Sequence, residues 1–93
     1  MSTGRNVTYV NTFVVVMPDG LQAIGLYVEY DDGSAETWKT NNPKFYQYDP
    51  NEIGKMYKRV VGAVDMDAPN AKRWVFDTLR STYNMVLHRN EGE

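Results

Sequence analysis

A chain of 93 residues, 42% hydrophobic and 24% charged, has the length of one domain and the composition of a folded one. It contains no cysteine, which excludes disulfide staples, thiolate catalysis and Cys-ligated zinc or iron–sulfur centres. Net charge is −2, and residues 1–48 hold three basic residues (Arg5, Lys39, Lys44) against five acidic ones, while residues 49–93 hold seven of each. Neither half is the basic block that marks a nucleic-acid or anionic-membrane binder.

In chain order, residues 1–6 read as a frayed start. From Val7 the odd positions Val7, Tyr9, Phe13, Val15 and Met17 are apolar, a period of two rich in β-branched and aromatic types, which predicts a strand with that face inward. Asn11 breaks this face. Val14 and Val16 make the far end apolar on both faces, as expected if that end is covered twice or paired with a partner. Met17-Pro18-Asp19-Gly20 is a turn, because proline presets φ, aspartate bonds to the local backbone and glycine accepts positive φ.

Leu21 to Tyr30 predicts a second strand, with Ile24, Leu26, Val28 and Tyr30 on one face and Gly25 at a bulge or close backbone approach. After the Asp31-Asp32-Gly33-Ser34 turn, Ala35 to Thr40 is a third strand anchored by Trp38. Lys44 to Tyr48, between Pro43 and Pro50, reads as a connector, with a short fourth strand as the alternative.

Asp49-Pro50-Asn51-Glu52 is a helix start, with a capping aspartate, a proline where its missing N–H costs nothing, and glutamate at the capping-box position. Ile53, Met56, Tyr57, Val60, Val61 and Val64 then fall on one helical face, opposite Lys55, Lys58 and Arg59. A second helix is expected from about Pro69 to His88, with Asp67 as its cap. Its stripe is Trp74, Val75, Thr78, Leu79, Thr82, Tyr83 and Val86, widened by Phe76, Met85 and Leu87. Residues 90–93 are a polar tail.

The fold class is therefore α+β: a three-stranded antiparallel meander followed by two amphipathic helices packed on one face, in one domain over 1–93. The N-terminus is polar and the longest apolar run is Phe13 to Met17, so neither a signal peptide nor a membrane span is expected and the location reads as cytoplasmic.

Chemistry-bearing patterns are sparse. Glu29, Asp31, Asp32 and Glu36 straddle a turn without the alternating spacing of a calcium loop. His88, the one histidine, is expected in the last helical turn, where a positive charge suits the helix dipole. No Gly-x-Ser-x-Gly or phosphate-cradling glycine motif occurs. No catalytic residue, metal ligand or cofactor is assigned, and an enzyme is not expected.

Tyr9, Phe13, Tyr27, Tyr30 and Trp38 on the strands resemble a base-stacking platform, but their strands carry almost no basic residues. Three aromatics in Lys44-Phe45-Tyr46-Gln47-Tyr48 cannot all be buried in a loop: either those left exposed form an interface patch, or Phe45 and one tyrosine cap the end of the core, and the residues weigh the two equally.

The leading expectation is a non-enzymatic protein-binding module presenting Phe45, Tyr46 and Tyr48, with Asp31 and Asp32, to a partner and blocking it sterically. Acidic, cysteine-free composition of this kind is common among phage accessory and inhibitor proteins. The alternatives are a nucleic-acid binder using Lys55, Lys58 and Arg59, and a homo-oligomer built through the second helix or a sheet edge.

Overall fold

The computed structural model describes residues 5–47 and 49–88. Its elements are β1 (Val7–Val16), β2 (Gln22–Tyr30), β3 (Ala35–Thr40), a 3-10 turn (Pro43–Phe45), α1 (Pro50–Gly62), α2 (Ala71–Thr82) and β4 (Met85–Leu87). The four strands form one antiparallel sheet in the order β1-β2-β3-β4. Both helices pack on one face, so the molecule is a two-layer slab with extents of 40 × 34 × 17 Å. The tails at 1–4 and 89–93, and Tyr48, lie outside the described residues.

The core is built on β2. Ile24, Leu26, Val28 and Tyr30 are all buried and meet Ile53 of α1 and Val75, Phe76 and Leu79 of α2. The α1 stripe packs as its spacing predicts, with Met56, Tyr57, Val60, Val61 and Val64 half-buried against the same cluster. Asp49 caps α1 by accepting from the Asn51 N–H at 2.9 Å, with Pro50 in the first turn. Gly20 and Gly33 close the two hairpin turns at φ of +91° and +87°.

β1 corrects the expected facing. Its even positions Val10, Thr12 and Val14 lie opposite Val28, Leu26 and Ile24 and share their helix-covered face. The odd positions Tyr9, Asn11, Phe13 and Val15 face away. Pairing shifts at a bulge between Val7 and Tyr9, and a shift of one residue moves a side-chain set to the other face. Asn11 gives the physical reason: facing the helices it would bury an amide, whereas here it is exposed.

The second helix is shorter than expected. It stops at Thr82, Tyr83 donates its N–H to the Leu79 carbonyl, and Asn84 takes a left-handed φ of +54°. Asparagine tolerates that conformation and ends helices as glycine does. Met85, Val86 and Leu87 then form an edge strand paired with β3. His88 is exposed beyond it, its N–H donating to the Thr37 carbonyl, so it does not sit at a helix end. Trp74, expected on the buried stripe, is 47% exposed, while Ala71, Val75, Phe76 and Leu79 are buried. The fourth strand is thus 85–87, and Lys44 to Gln47 remains a connector.

The expected fray at 1–6 does not extend to Arg5 and Asn6. Asn6 donates from its backbone and side chain to Asp31 at 3.2 and 2.9 Å, and Asp31 returns its N–H to the Asn6 carbonyl. Arg5 donates to Ser34 at 3.0 Å and to Glu36 at 3.3 Å.

Gly25 carries a close approach, as its place in a strand suggests. A Cβ there would lie 2.5 Å from Phe13 Cε2 and 2.7 Å from Val15 Cγ2, so the glycine is the platform on which the Phe13 ring rests. Gly25→Ala should swing that ring into solvent and lower stability by about 1–2 kcal/mol. Urea unfolding in wild-type and Phe13→Ala backgrounds checks this, because removing the ring should remove the part of the penalty due to Phe13 and leave the part due to Val15.

Candidate protein-binding site

Of the residues expected to bind a partner, Phe45, Tyr46, Asp31 and Asp32 are described. Phe45 packs edge-on against Tyr83 with ring centroids 5.2 Å apart, so it belongs to the core margin, and Tyr46 is half-buried. Asp32 accepts from the Ser34 N–H at 2.9 Å and from the Ser34 hydroxyl, which hold its carboxyl below the usual range. Asp31 is engaged by Asn6. Both aspartates serve the hairpin and the start of β1, as turn chemistry predicts.

A second polar cluster clasps the same end of the sheet. Tyr30 donates to Glu36 at 2.7 Å, Arg5 lies 3.9 Å above the Tyr30 ring, and Arg73 donates to the Arg5 carbonyl at 2.8 Å. Burial, followed by the bond to Glu36, pushes the Tyr30 phenol up to about 12. Glu36, Arg5 and Tyr30 engage one another, which suits a structural clasp. Among the described residues no group of three or more histidines or carboxylates is placed to hold a metal ion.

The uncovered face of the sheet carries Tyr9 at 45% and Phe13 at 37% exposure, with Val15, Tyr27, Thr37, Lys39 and Val86 around them. Tyr9 and Tyr27 meet edge-to-face at 6.1 Å, and Tyr27 donates to Glu29 at 2.8 Å. That bond, with desolvation and the Glu29 charge behind it, raises the Tyr27 phenol above its ordinary value. Tyr30 and Trp38, the other two members of the expected aromatic platform, point to the helices instead. Lys39 is the one cation in strand register on this face.

The remaining feature is an edge. β1 is the outer strand of the sheet and pairs only with β2. The Met17 N–H donates to the Leu21 carbonyl at 2.7 Å, so odd positions direct their backbone groups to β2. Alternation then sends the N–H and C=O of Val10, Thr12, Val14 and Val16 outward. The Val10 carbonyl confirms this direction by accepting from the Tyr57 hydroxyl at 2.7 Å, and burial of Tyr57 raises its phenol above the ordinary value.

Beside Thr12 and Val14 lies a trough of about 310 Å³, walled by Asn11–Val14 on one side and by Pro50, Ile53, Gly54, Tyr57 and Lys58 of α1 on the other. Beside it, sharing Pro50, Gly54 and Lys58, is a second depression of about 440 Å³ lined by Pro50, Asn51, Gly54, Lys55 and Lys58. Gly54 is in a helix interior, where glycine costs about 1 kcal/mol relative to alanine. A Cβ there would meet nothing within 4 Å, so packing does not demand the glycine, and its effect is to leave the trough open.

Lys55, Lys58 and Arg59 are exposed on α1 as expected, but the spacing could not show that Lys58 borders a strand edge. That required knowing which side of the sheet β1 occupies and which helix lies over it. The outward-apolar run Val14 to Val16 was the one trace of the edge in the sequence.

No protein family, curated protein or solved structure gives a significant match to this chain. No helix among the described residues is long and apolar enough to cross a membrane.

Proposed function

We propose that the protein is a small, non-enzymatic protein-binding module whose partner adds an extended strand to the open edge of β1, in the trough against α1. The observation that carries this reading is the edge itself. Folded proteins blunt edge strands with charges, prolines or short lengths, because unpaired backbone groups recruit other chains. β1 is ten residues long and Val7–Val16 contains neither a charged residue nor a proline. Its bulge lies at the start, away from Thr12 and Val14. An open edge beside a helix offers main-chain hydrogen bonds for affinity and a wall for side-chain selection.

The exposed rings of Tyr9 and Phe13 adjoin the same strand and enlarge the contact surface. A partner segment drawn into this trough is hidden from its other ligands, which is the steric blocking expected of an accessory or inhibitor protein. The lack of cysteine fits a reducing, cytoplasmic setting. The nucleic-acid alternative is weaker, because the exposed aromatics are accompanied by a single lysine and the α1 cations lie on the other layer.

The test is Thr12→Pro. Its N–H points away from β2, so proline removes no ladder bond and the fold should persist, but an added strand loses its donor. Tagged wild-type and Thr12→Pro proteins are used to capture partners from the native lysate with nuclease present, after circular dichroism has shown both folded. The expected result is a stoichiometric protein held by wild type and lost, by at least about tenfold, with the variant. Equal capture by both proteins overturns the reading.

A further inference from the structure

We infer that the strand received by this trough is acidic, with a carboxylate on the side chain that faces Lys58. This inference rests on the strand-addition reading above and adds the chemistry of the partner. The two depressions share Pro50, Gly54 and Lys58, so they lie side by side along the start of α1, the first reaching the β1 edge. Among the described residues no carboxylate lines either of them. Lys58 makes no ion pair among the described residues, and Lys55 has one loose contact, 3.6 Å to Glu52, with both side chains more than half exposed. The two depressions therefore present two ammonium groups with little internal compensation.

An added strand alternates its side chains between the two faces. Those on the helix side enter a trough whose α1 wall combines Ile53 and Tyr57 with Gly54 and Lys58. The matching pattern is apolar and acidic at alternate helix-facing positions. A second copy of this chain fits poorly. Pairing β1 with its own mate about a two-fold axis would place both helical layers on the same side and bring two Lys58-lined troughs to one seam. β1 carries no carboxylate to meet them. Like charges in apposition oppose such an interface, whereas a foreign acidic strand satisfies it.

The probes are two short, end-blocked peptides in which threonine alternates with valine and glutamate, or with valine and lysine. Each is titrated into isotope-labelled protein and followed by amide shifts. The acidic peptide should shift Thr12, Val14, Gly54 and Lys58 and bind about tenfold more tightly than the lysine peptide, with the gap closing as salt rises. Lys58→Glu, at an exposed position, should reverse the order. Equal binding of both peptides at Thr12 and Val14, or an order unchanged by Lys58→Glu, overturns the acidic inference and leaves strand addition standing. Absence of shifts with either peptide also overturns it, while the Thr12→Pro capture decides strand addition independently.

Discussion

Phe76→Ala should cost about 3–5 kcal/mol, the range for removing a fully buried ring from a core that cannot close over the gap. Phe76 is 1% exposed and meets the Trp38 indole edge-on at a centroid distance of 5.6 Å. The guanidinium groups of Arg73 and Arg80 lie 5.7 and 5.2 Å from its ring centre. The ring therefore fastens α2 to β3 and also seats two cations whose stems cover the core. A domain of this size has about 5–15 kcal/mol of total stability, so the loss is a large fraction of the whole. The midpoint of thermal unfolding should fall by roughly 15–30 °C. Trp74, two residues earlier and the larger side chain, is the informative contrast. At 47% exposure it sits off the core, and Trp74→Ala should change stability far less than Phe76→Ala. Urea unfolding of both variants separates the observed helix orientation from the stripe drawn through Trp74.

The contrast also shows where the sequence was legible. β2, β3 and α1 were readable because each has one periodicity and one apolar face. Ile24, Leu26, Val28 and Tyr30 admit no second interpretation, and the Asp49-Pro50 start fixes the phase of α1. β1 is apolar on both faces, so its parity depended on a partner strand: β2 pulls Val10, Thr12 and Val14 inward by register. At the C-terminus, Val86 continues the helical stripe of Val75, Leu79, Thr82 and Tyr83 by coincidence of spacing. A single left-handed residue, Asn84, ends the helix and restarts the chain with period two. The open β1 edge was hidden for a related reason. An open edge is a property of strand order, and strand order is set by long-range pairing that local pattern does not encode. The aromatic run at 45–48 drew attention because composition is local, yet Phe45 is occupied by Tyr83.

Thr40→Val should be the most damaging isosteric change, costing about 1–3 kcal/mol although it removes no volume. Thr40 is 0% exposed. Its hydroxyl donates to the Tyr83 carbonyl at 2.5 Å and accepts from the Asn42 N–H at 3.3 Å. Tyr83 is the residue at which α2 ends, and Met85, two residues on, pairs with Thr40 across the sheet. One hydroxyl thus joins the end of β3, the exit from α2 and the entry to β4. Valine keeps the shape but leaves the carbonyl at the helix exit without that donor, in a place water does not reach. β4 is three residues long, and its further backbone support is the His88 N–H donating to Thr37. Loss of the Thr40 bond should therefore appear first as local opening. Hydrogen exchange at Val86 and His88 should accelerate more than exchange in β2, and Thr40→Ser, which retains the hydroxyl, should restore protection there. If Val86 and β2 amides accelerate together, the hydroxyl contributes to global stability alone and β4 is held by its side chains. Faster exchange at Val86 and His88 alone would show that β4 opens as a local unit separate from β2.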